Sequence, residues 1–174
     1  MGDKLPIEVL TKTEFTSLVG ACGRRSPTGL RNRAMLTTMY RALLRAGEAL
    51  ALRPKDVNFD EGLIRVLHGK GDKPRTVAVG DGTLALVQVW MDRRAKYEFT
   101  SSVPLFCTLE GKELSQPYLR QLFPRLAAKD LVRTRRGHPQ TAAVRSGRHT
   151  FAAPMRGVRR VPRGTVQLVS TWRR

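Results

Sequence analysis

The sequence predicts an α+β fold that is mainly helical and carries a small antiparallel sheet. Two observations support this class. Apolar residues recur at helical spacing in several segments that begin with helix-capping residues, and two short segments rich in branched side chains flank a glycine-bearing turn near residues 62–79. With 174 residues, of which 41% are hydrophobic, the chain is long enough to bury a core.

The first half of the chain predicts three helices. Thr11 and Glu14 have the spacing of a capping box and mark the start of the first helix. After a loop predicted at residues 24–29, the apolar side chains of LRNRAMLTTMYRALL share one side of a second helix, and Tyr40 belongs to that side. A short third helix within EALALRPKDV is expected to stop before Pro54, because the residue preceding a proline disfavours helical conformation.

The second half predicts a hairpin and two further helices. The segments GLIRVL and RTVAV are joined by HGKGDKP, which indicates a β-hairpin. GDGTLALVQVWMDRRAKY predicts a helix that is acidic at its start and basic at its end. In SQPYLRQLFPRLAAKD, Ser115 is the expected N-cap, Pro117 lies in the first turn, and Pro124 is expected to kink or split the helix. Beyond these segments, only RHTFAA predicts a helix.

Charge is distributed unevenly along the chain. The 32 basic and 14 acidic residues give a net charge of +18. Residues 131–174 contain eleven arginines, no lysine and no acid, which leaves a net charge of only +7 on residues 1–130. A positive field of this kind favours polyanions, chiefly nucleic acid. Because only 6% of the residues are aromatic, stacking on single strands is not expected.

Several classes of protein and site are excluded by what the sequence lacks. Cys22 and Cys107 are far apart and form no CxxC motif, which argues against a zinc site or a disulfide scaffold and indicates a cytoplasmic protein. No segment approaches the roughly 18 apolar residues of a membrane-spanning helix, and the N-terminus has no signal-peptide pattern. No metal and no membrane association are therefore expected.

Three cations are candidates for a single phosphate site. Arg45 lies between two core-forming segments, Lys70 lies between two glycines at the hairpin turn, and Arg148 lies in the arginine-rich segment 131–174. Arginine forks match phosphate oxygens, and lysine supplies a point charge or a proton. Simpler interpretations stay open. Arg45 could be a buried partner of Glu48 on the same helical face, and Lys70 could be a solvated turn residue.

The sequence resembles the catalytic domain of tyrosine recombinases, the phage-integrase family. The resemblance runs through VLTKTEF, LRNRAMLTTMY, LLRAGEALALRPKDV, GLIRVLHGKGDKPRTVAVG and PLFCTLEGKELS over residues 8–129, and it returns over residues 145–153, which include RHTFAA. It implies a mostly helical domain with a small antiparallel sheet. It also implies cutting and rejoining of double-stranded DNA through a 3′-phosphotyrosine, without metal or cofactor.

The resemblance also assigns roles to individual residues. The implied catalytic residues are Arg45, Lys70 and Arg148. The two arginines are the family's active-site arginines, and the lysine is the general acid for the leaving 5′-hydroxyl. The implied supporting residues are Glu48, Arg145 and His149. The expected DNA contacts of the hairpin are Lys70, Lys73 and Arg75.

The chain departs from the family pattern near its second arginine box. Arg145 stands three residues before Arg148, where the family has histidine, and no tyrosine follows this box. The expected domains are therefore an incomplete tyrosine-recombinase-like catalytic domain over residues 1–153 and an arginine-rich tail over residues 154–174 that does not match the family. The nucleophile is unknown.

These departures favour a truncated recombinase remnant that binds DNA phosphate, because cations can hold a phosphate but cannot attack it. Two alternatives stay open. One is an active strand-exchange enzyme with an unrecognised tyrosine or with a tyrosine donated by another recombinase subunit. The other is a non-enzymatic basic nucleic-acid-binding protein. The tail composition is also typical of GC-rich coding DNA read out of frame, which predicts that another frame encodes the missing tyrosine segment.

Overall fold

A computed structural model of the chain describes residues 11–67 and 74–130, with five helices and a three-stranded antiparallel sheet. The helices are α1 Lys12–Gly20, α2 Pro27–Arg41, α3 Ala46–Ala51, α4 Asp81–Ala95 and α5 Gln116–Asp130. The strands are β1 Val57–Asn58, β2 Leu63–Val66 and β3 Arg75–Ala78. The predicted fold class, mainly helical with a small antiparallel sheet, is confirmed.

Helix α1 begins at the predicted capping box. The Thr11 hydroxyl accepts a hydrogen bond from the Glu14 backbone N–H at 3.2 Å, and the Glu14 carboxylate accepts one from the Thr11 backbone N–H at 2.7 Å. These contacts satisfy two N–H groups at the helix start. They orient Phe15 and Leu18 toward the core, where both are buried.

Replacing Thr11 by alanine is expected to lower the free energy of unfolding by about 1 kcal/mol, since the cap hydrogen bond is lost. Thr16→Ala is the matched control, because the Thr16 hydroxyl only donates back to the Lys12 carbonyl within the exposed helix surface. Urea denaturation of both variants measures the difference. Equal stability of the two variants would show that the capping box contributes nothing.

Helix α2 is the central helix of the domain. It packs against α1, α3 and α4, and its buried side chains include Met35, Leu36 and Met39. The loop predicted at residues 24–29 is wrong in its second half, because Ser26 caps the helix and Pro27 occupies its first turn. Proline suits that position, since the missing N–H would have no helical partner there.

The sheet confirms the predicted hairpin and adds a short strand. Strand β2 pairs with β3 in antiparallel register, with Ile64 opposite Val77 and Val66 opposite Arg75. Strand β1 pairs with the other edge of β2 through Val57 and Ile64. Two residues are too short a strand to produce a periodic signal, so the sequence did not reveal β1. The tip of the hairpin, residues 68–73, lies outside the described residues.

Helices α4 and α5 close the domain. The Trp90 side chain of α4 is fully buried, and its indole N–H donates to the Leu105 carbonyl at 2.7 Å. Helix α5 starts as predicted, with the Ser115 hydroxyl accepting from the Tyr118 backbone N–H at 3.3 Å. Pro124 does not split α5, which continues to Asp130 as one segment. The helix expected around RHTFAA lies outside the described residues.

Candidate functional site

Arg45 lies where the chain turns sharply from α2 into α3. Leu43 has a φ of +53°, a left-handed conformation that is uncommon for a residue with a bulky side chain. The next residue, Leu44, is fully buried, and its N–H donates to the Met39 carbonyl at 3.0 Å. The turn therefore places Arg45 at the N-cap of α3, with extended backbone and a side chain that is 43% exposed. An arginine between two apolar segments thus has its guanidinium group partly in solvent.

Glu48 holds Arg45 in place. The Glu48 side chain is only 4% exposed. Its Oε2 accepts from the Arg45 backbone N–H at 2.8 Å, and its Oε1 accepts from Arg45 Nη1 at 3.0 Å. The backbone and the guanidinium of Arg45 are therefore both fixed by one carboxylate. The interpretation of Arg45 as a buried partner of Glu48 is right about the contact and wrong about the burial, since only Glu48 is buried. The exposure of Arg45 leaves room for a second partner.

Arg75 binds the same carboxylate from the sheet. Arg75 Nη1 donates to Glu48 Oε1 at 2.9 Å, and Nη2 donates to Oε2 at 2.7 Å. This is the bidentate arrangement that arginine forms with carboxylates. Each Glu48 oxygen thus accepts two hydrogen bonds, one from Arg45 and one from Arg75. We call these three residues the Arg45–Glu48–Arg75 triad.

The Arg45–Glu48–Arg75 triad contains one carboxylate anion and two guanidinium cations, so it carries a net positive charge. Burial raises the pKa of the Glu48 carboxyl, but the hydrogen bonds from Arg75 and Arg45 outweigh burial and lower the pKa from 4.5 to about 2. Glu48 is therefore an anion at neutral pH, and two guanidinium cations share its single charge. The excess of one positive charge, on partly exposed side chains, suits the binding of an anion such as a phosphate.

Comparison with known proteins shows which family the chain belongs to. The family model described as "Phage integrase family" matches residues 8–170. The chain belongs to the phage integrase family. It is 31% identical over 153 residues to the tyrosine recombinase XerD of Xanthomonas campestris pv. campestris, an alignment that covers 83% of this chain and 46% of XerD.

Other relatives and solved structures support the same assignment to the tyrosine recombinase catalytic domain. The tyrosine recombinase XerC of Xanthomonas axonopodis pv. citri is 44% identical over 87 residues, which are 50% of this chain and 28% of XerC. A crystal structure of the XerH site-specific recombinase bound to difH substrate superposes with a TM-score of 0.64 and 27% identity, covering 87% of this chain and 43% of XerH. The integrase-family chain spans about half the length of the curated relatives it matches over most of its residues.

Only part of the predicted site of this integrase-family chain falls within the described residues. Arg45, Glu48 and Arg75 are described and lie together. The predicted residues that lie outside the described residues are Lys70, Lys73, Arg145, Arg148 and His149. Their roles stay predictions. Lys70 precedes Arg75 by five residues. A fully extended chain of five residues spans at most about 18 Å, which limits how far the Lys70 backbone can lie from Arg75.

The sequence missed the contact between Arg75 and Glu48. The sequence pattern predicts a DNA contact for Arg75 as a hairpin cation, and it pairs Glu48 with Arg45 alone. A usable signal was the alternation of side chains along β3, which puts Arg75 on the same half-buried face as Val77. A second signal was the carboxylate itself, since a buried carboxylate needs several donors.

Two of the three tyrosines of the integrase-family chain pack against aromatic rings. Tyr40 is half-buried and stacks on Phe15 with ring centroids 3.9 Å apart, in agreement with its predicted place on the apolar face of α2. Tyr97 stacks on Phe99 at 5.4 Å, just after α4. Both rings therefore contribute to packing of the domain.

The third tyrosine lies in a buried polar network. The Tyr118 hydroxyl accepts a hydrogen bond from Arg31 Nη2 and donates one to Asn32 Oδ1 at 3.0 Å. Arg31 is 3% exposed and also donates from Nη1 to a main-chain carbonyl at 2.8 Å. Because its hydroxyl serves as both donor and acceptor inside the domain, Tyr118 has a structural role in α5 packing.

The described residues hold no cluster of three or more histidine, cysteine or acidic side chains arranged to bind a metal ion. Cys22 and Cys107 are both buried free thiols. None of the helices in the described part of this integrase-family chain is long and apolar enough to cross a membrane.

Proposed function

We propose that the chain binds duplex DNA as the catalytic domain of a site-specific recombinase, and that its own 174 residues do not cleave DNA. In this proposal a single DNA phosphate is held by Arg45, Lys70 and Arg148. These cations stabilise the charge on the phosphate oxygens, as cations do in phosphoryl transfer. No metal ion or cofactor takes part.

The observation that carries the proposal is the Arg45–Glu48–Arg75 triad. Arg45 matches the position of the family's first active-site arginine, its guanidinium is partly exposed, and a buried carboxylate fixes its orientation. A cation whose orientation is fixed before binding loses less conformational freedom when it meets a phosphate. The net charge of +18 and the difH-bound state of XerH support duplex DNA as the polyanion.

The absence of self-sufficient cleavage rests on the missing nucleophile. The family reaction needs a tyrosine hydroxyl that attacks the phosphate and splits the reaction into two transesterifications. The tyrosines of the chain are at positions 40, 97 and 118, all before the second arginine box, and two of them stack on other rings while the third is hydrogen-bonded in the domain. Nucleophile donation by another recombinase subunit is the second candidate.

A nicked suicide duplex tests cleavage directly. We expect the chain to shift this DNA on a native gel and to give no covalent protein–DNA adduct on a denaturing gel. An adduct that is lost in Tyr97→Phe or Tyr118→Phe would contradict the proposal and identify an active strand-exchange enzyme. An adduct that forms only when a full-length recombinase is added would support nucleophile donation between subunits.

The expected division of the chain stays a proposal. We propose an incomplete catalytic domain over residues 1–153 and an arginine-rich tail over residues 154–174; the family match itself extends to residue 170. The tail is proposed to be a frameshift product. The support is the composition of the longer segment that ends with it, since residues 131–174 hold eleven arginines without lysine or acid. The nucleotide sequence tests this, because a tyrosine-containing family segment should appear in another reading frame.

A cytoplasmic location is also part of the proposal. Its support is the pair of buried free thiols, since disulfides are rare in the reducing cytoplasm.

A further inference from the structure

The Arg75 side chain is hydrogen-bonded within the protein and is not free on the hairpin surface. Both of its terminal nitrogens donate to Glu48, at 2.9 and 2.7 Å, and its side chain is 30% exposed. The neighbouring strand arginine, Arg65, is 58% exposed and approaches Asp56 no closer than 3.9 Å. The two hairpin arginines therefore have different environments, although both are cations in a predicted DNA-contacting hairpin.

The net charge of the side chains around Glu48 shows how Arg75 affects Arg45. If Arg45 alone faced Glu48, the two would form a neutral pair, and the guanidinium would offer little net charge to a phosphate. With Arg75 present, Glu48 shares its charge between two guanidinium groups, and the triad keeps one net positive charge. Arg75 also fills one acceptor site on each Glu48 oxygen, which prevents the carboxylate from turning away from the Arg45 backbone.

We propose that Arg75 is a positioning residue, which keeps Arg45 oriented for a DNA phosphate and leaves the triad with a net positive charge by offsetting the Glu48 charge from the hairpin side. The proposal rests on the proposed function, in which Arg45 binds DNA. Because Arg75 is the first residue of β3 and pairs with Val66, the same contact ties the turn end of the hairpin ladder to the start of α3. Arg75 thus acts through Glu48 and Arg45, and it does not need to touch DNA.

This role differs from direct DNA contact in two measurable ways. A phosphate contact made through a single nitrogen tolerates lysine, whereas the two-pronged contact with Glu48 does not, because an ammonium cannot form the planar fork. Effects of residues in one hydrogen-bonded network are also non-additive, whereas independent DNA contacts add. Arg75→Lys, combined with Arg45→Ala, therefore distinguishes the two roles while keeping the charge at position 75.

The test is a double-mutant cycle on full-chain affinity for a duplex DNA, measured by fluorescence anisotropy at fixed salt. We expect Arg45→Ala and Arg75→Lys each to weaken binding about tenfold, and the double variant to bind as Arg45→Ala does. Arg65→Lys, alone and with Arg45→Ala, is the matched control and should change affinity little in either background. Circular dichroism melts identify any variant that has lost the fold.

Each outcome has a distinct meaning. If Arg75→Lys binds DNA like the wild type, Arg75 has no role in binding. If the affinity lost in Arg75→Lys adds fully to the affinity lost in Arg45→Ala, Arg75 contacts DNA independently. Either result overturns the inference while the proposed function stands. If Arg45→Ala itself leaves affinity unchanged, the proposed function and the inference both fall. If Arg75→Lys keeps the fold yet binds about as weakly as Arg45→Ala, and the double variant binds no more weakly than Arg45→Ala, the positioning role is supported.

Discussion

Replacing Glu48 by glutamine is expected to lower the free energy of unfolding by about 2 kcal/mol, because a buried hydrogen-bonded charge pair is broken on one side only. The amide keeps the shape of the carboxylate. Its nitrogen, however, cannot accept the hydrogen bonds that one Glu48 oxygen receives from Arg45 and Arg75. The loss stays below that of a fully buried pair, since both guanidinium groups are partly exposed and can regain water. Chemical denaturation at pH 7 measures the effect.

Glu61→Gln is the control for this experiment. Glu61 is exposed, and it accepts a hydrogen bond from Asn58 at 2.9 Å on the surface of the β1–β2 turn. Its replacement should change the free energy of unfolding by less than about 0.5 kcal/mol. Equal effects at Glu48 and Glu61 would show that the triad contributes no more than an ordinary surface interaction.

The Glu48 contribution should also depend on pH in a defined direction. The pKa of Glu48 is lowered to about 2 in the folded chain from an ordinary 4.5, so the folded state favours the ionised carboxylate. The stabilisation is therefore present above pH 4.5 and is lost as the pH falls from 4.5 through 2. The stability difference between the wild type and Glu48→Gln should stay constant at higher pH and narrow over this acid range. A difference that widens on acidification would contradict the assigned role.

Arg45→Ala is expected to weaken binding to duplex DNA by about tenfold or more, since a charge-assisted hydrogen bond to a phosphate is lost. The logarithmic salt dependence of the affinity should also become shallower by about 0.9, the value for one phosphate contact. Anisotropy titrations at several salt concentrations give both quantities. The melting temperature should fall only modestly, because Glu48 keeps its two hydrogen bonds from Arg75.

Arg65→Ala is the control that separates a site from a general polycation. Arg65 is an exposed cation on the same hairpin, and its removal should weaken binding about twofold through the general field. If the protein were a non-enzymatic basic binder, Arg45→Ala and Arg65→Ala would weaken binding equally. Equal losses would therefore favour the alternative function over the recombinase site.

Local signals predicted much of the fold. The capping box at Thr11 is specified by two residues within one turn, and the hairpin is specified by branched segments around a glycine-bearing turn. Both depend on contacts close in sequence. The continuation of α5 through Pro124 was not predictable in this way, because burial of side chains around Pro124 offsets the lost backbone hydrogen bond.

The site was predictable only in part, because one of its contacts is local in sequence and the other is not. Glu48 lies three residues after Arg45, and helix geometry alone brings them together. Arg75 lies 27 residues after Glu48, and its contact depends on how the hairpin packs against α3. The left-handed turn at Leu43 that exposes Arg45 also has no local signature, because glycine or asparagine is the usual residue for that conformation. The Arg75 contact and the turn at Leu43 both depend on long-range packing, which a local sequence pattern does not specify.

The central claim is that Arg45, Lys70 and Arg148 meet at a single DNA phosphate. A crystal structure of the chain bound to a duplex DNA tests this most directly. We expect the Arg45 guanidinium, the Lys70 ammonium and the Arg148 guanidinium to lie within hydrogen-bond distance of the oxygens of one phosphate, with Glu48 still bound by Arg45 and Arg75. A complex in which these three cations lie on separate surfaces, or contact different phosphates, would contradict the account.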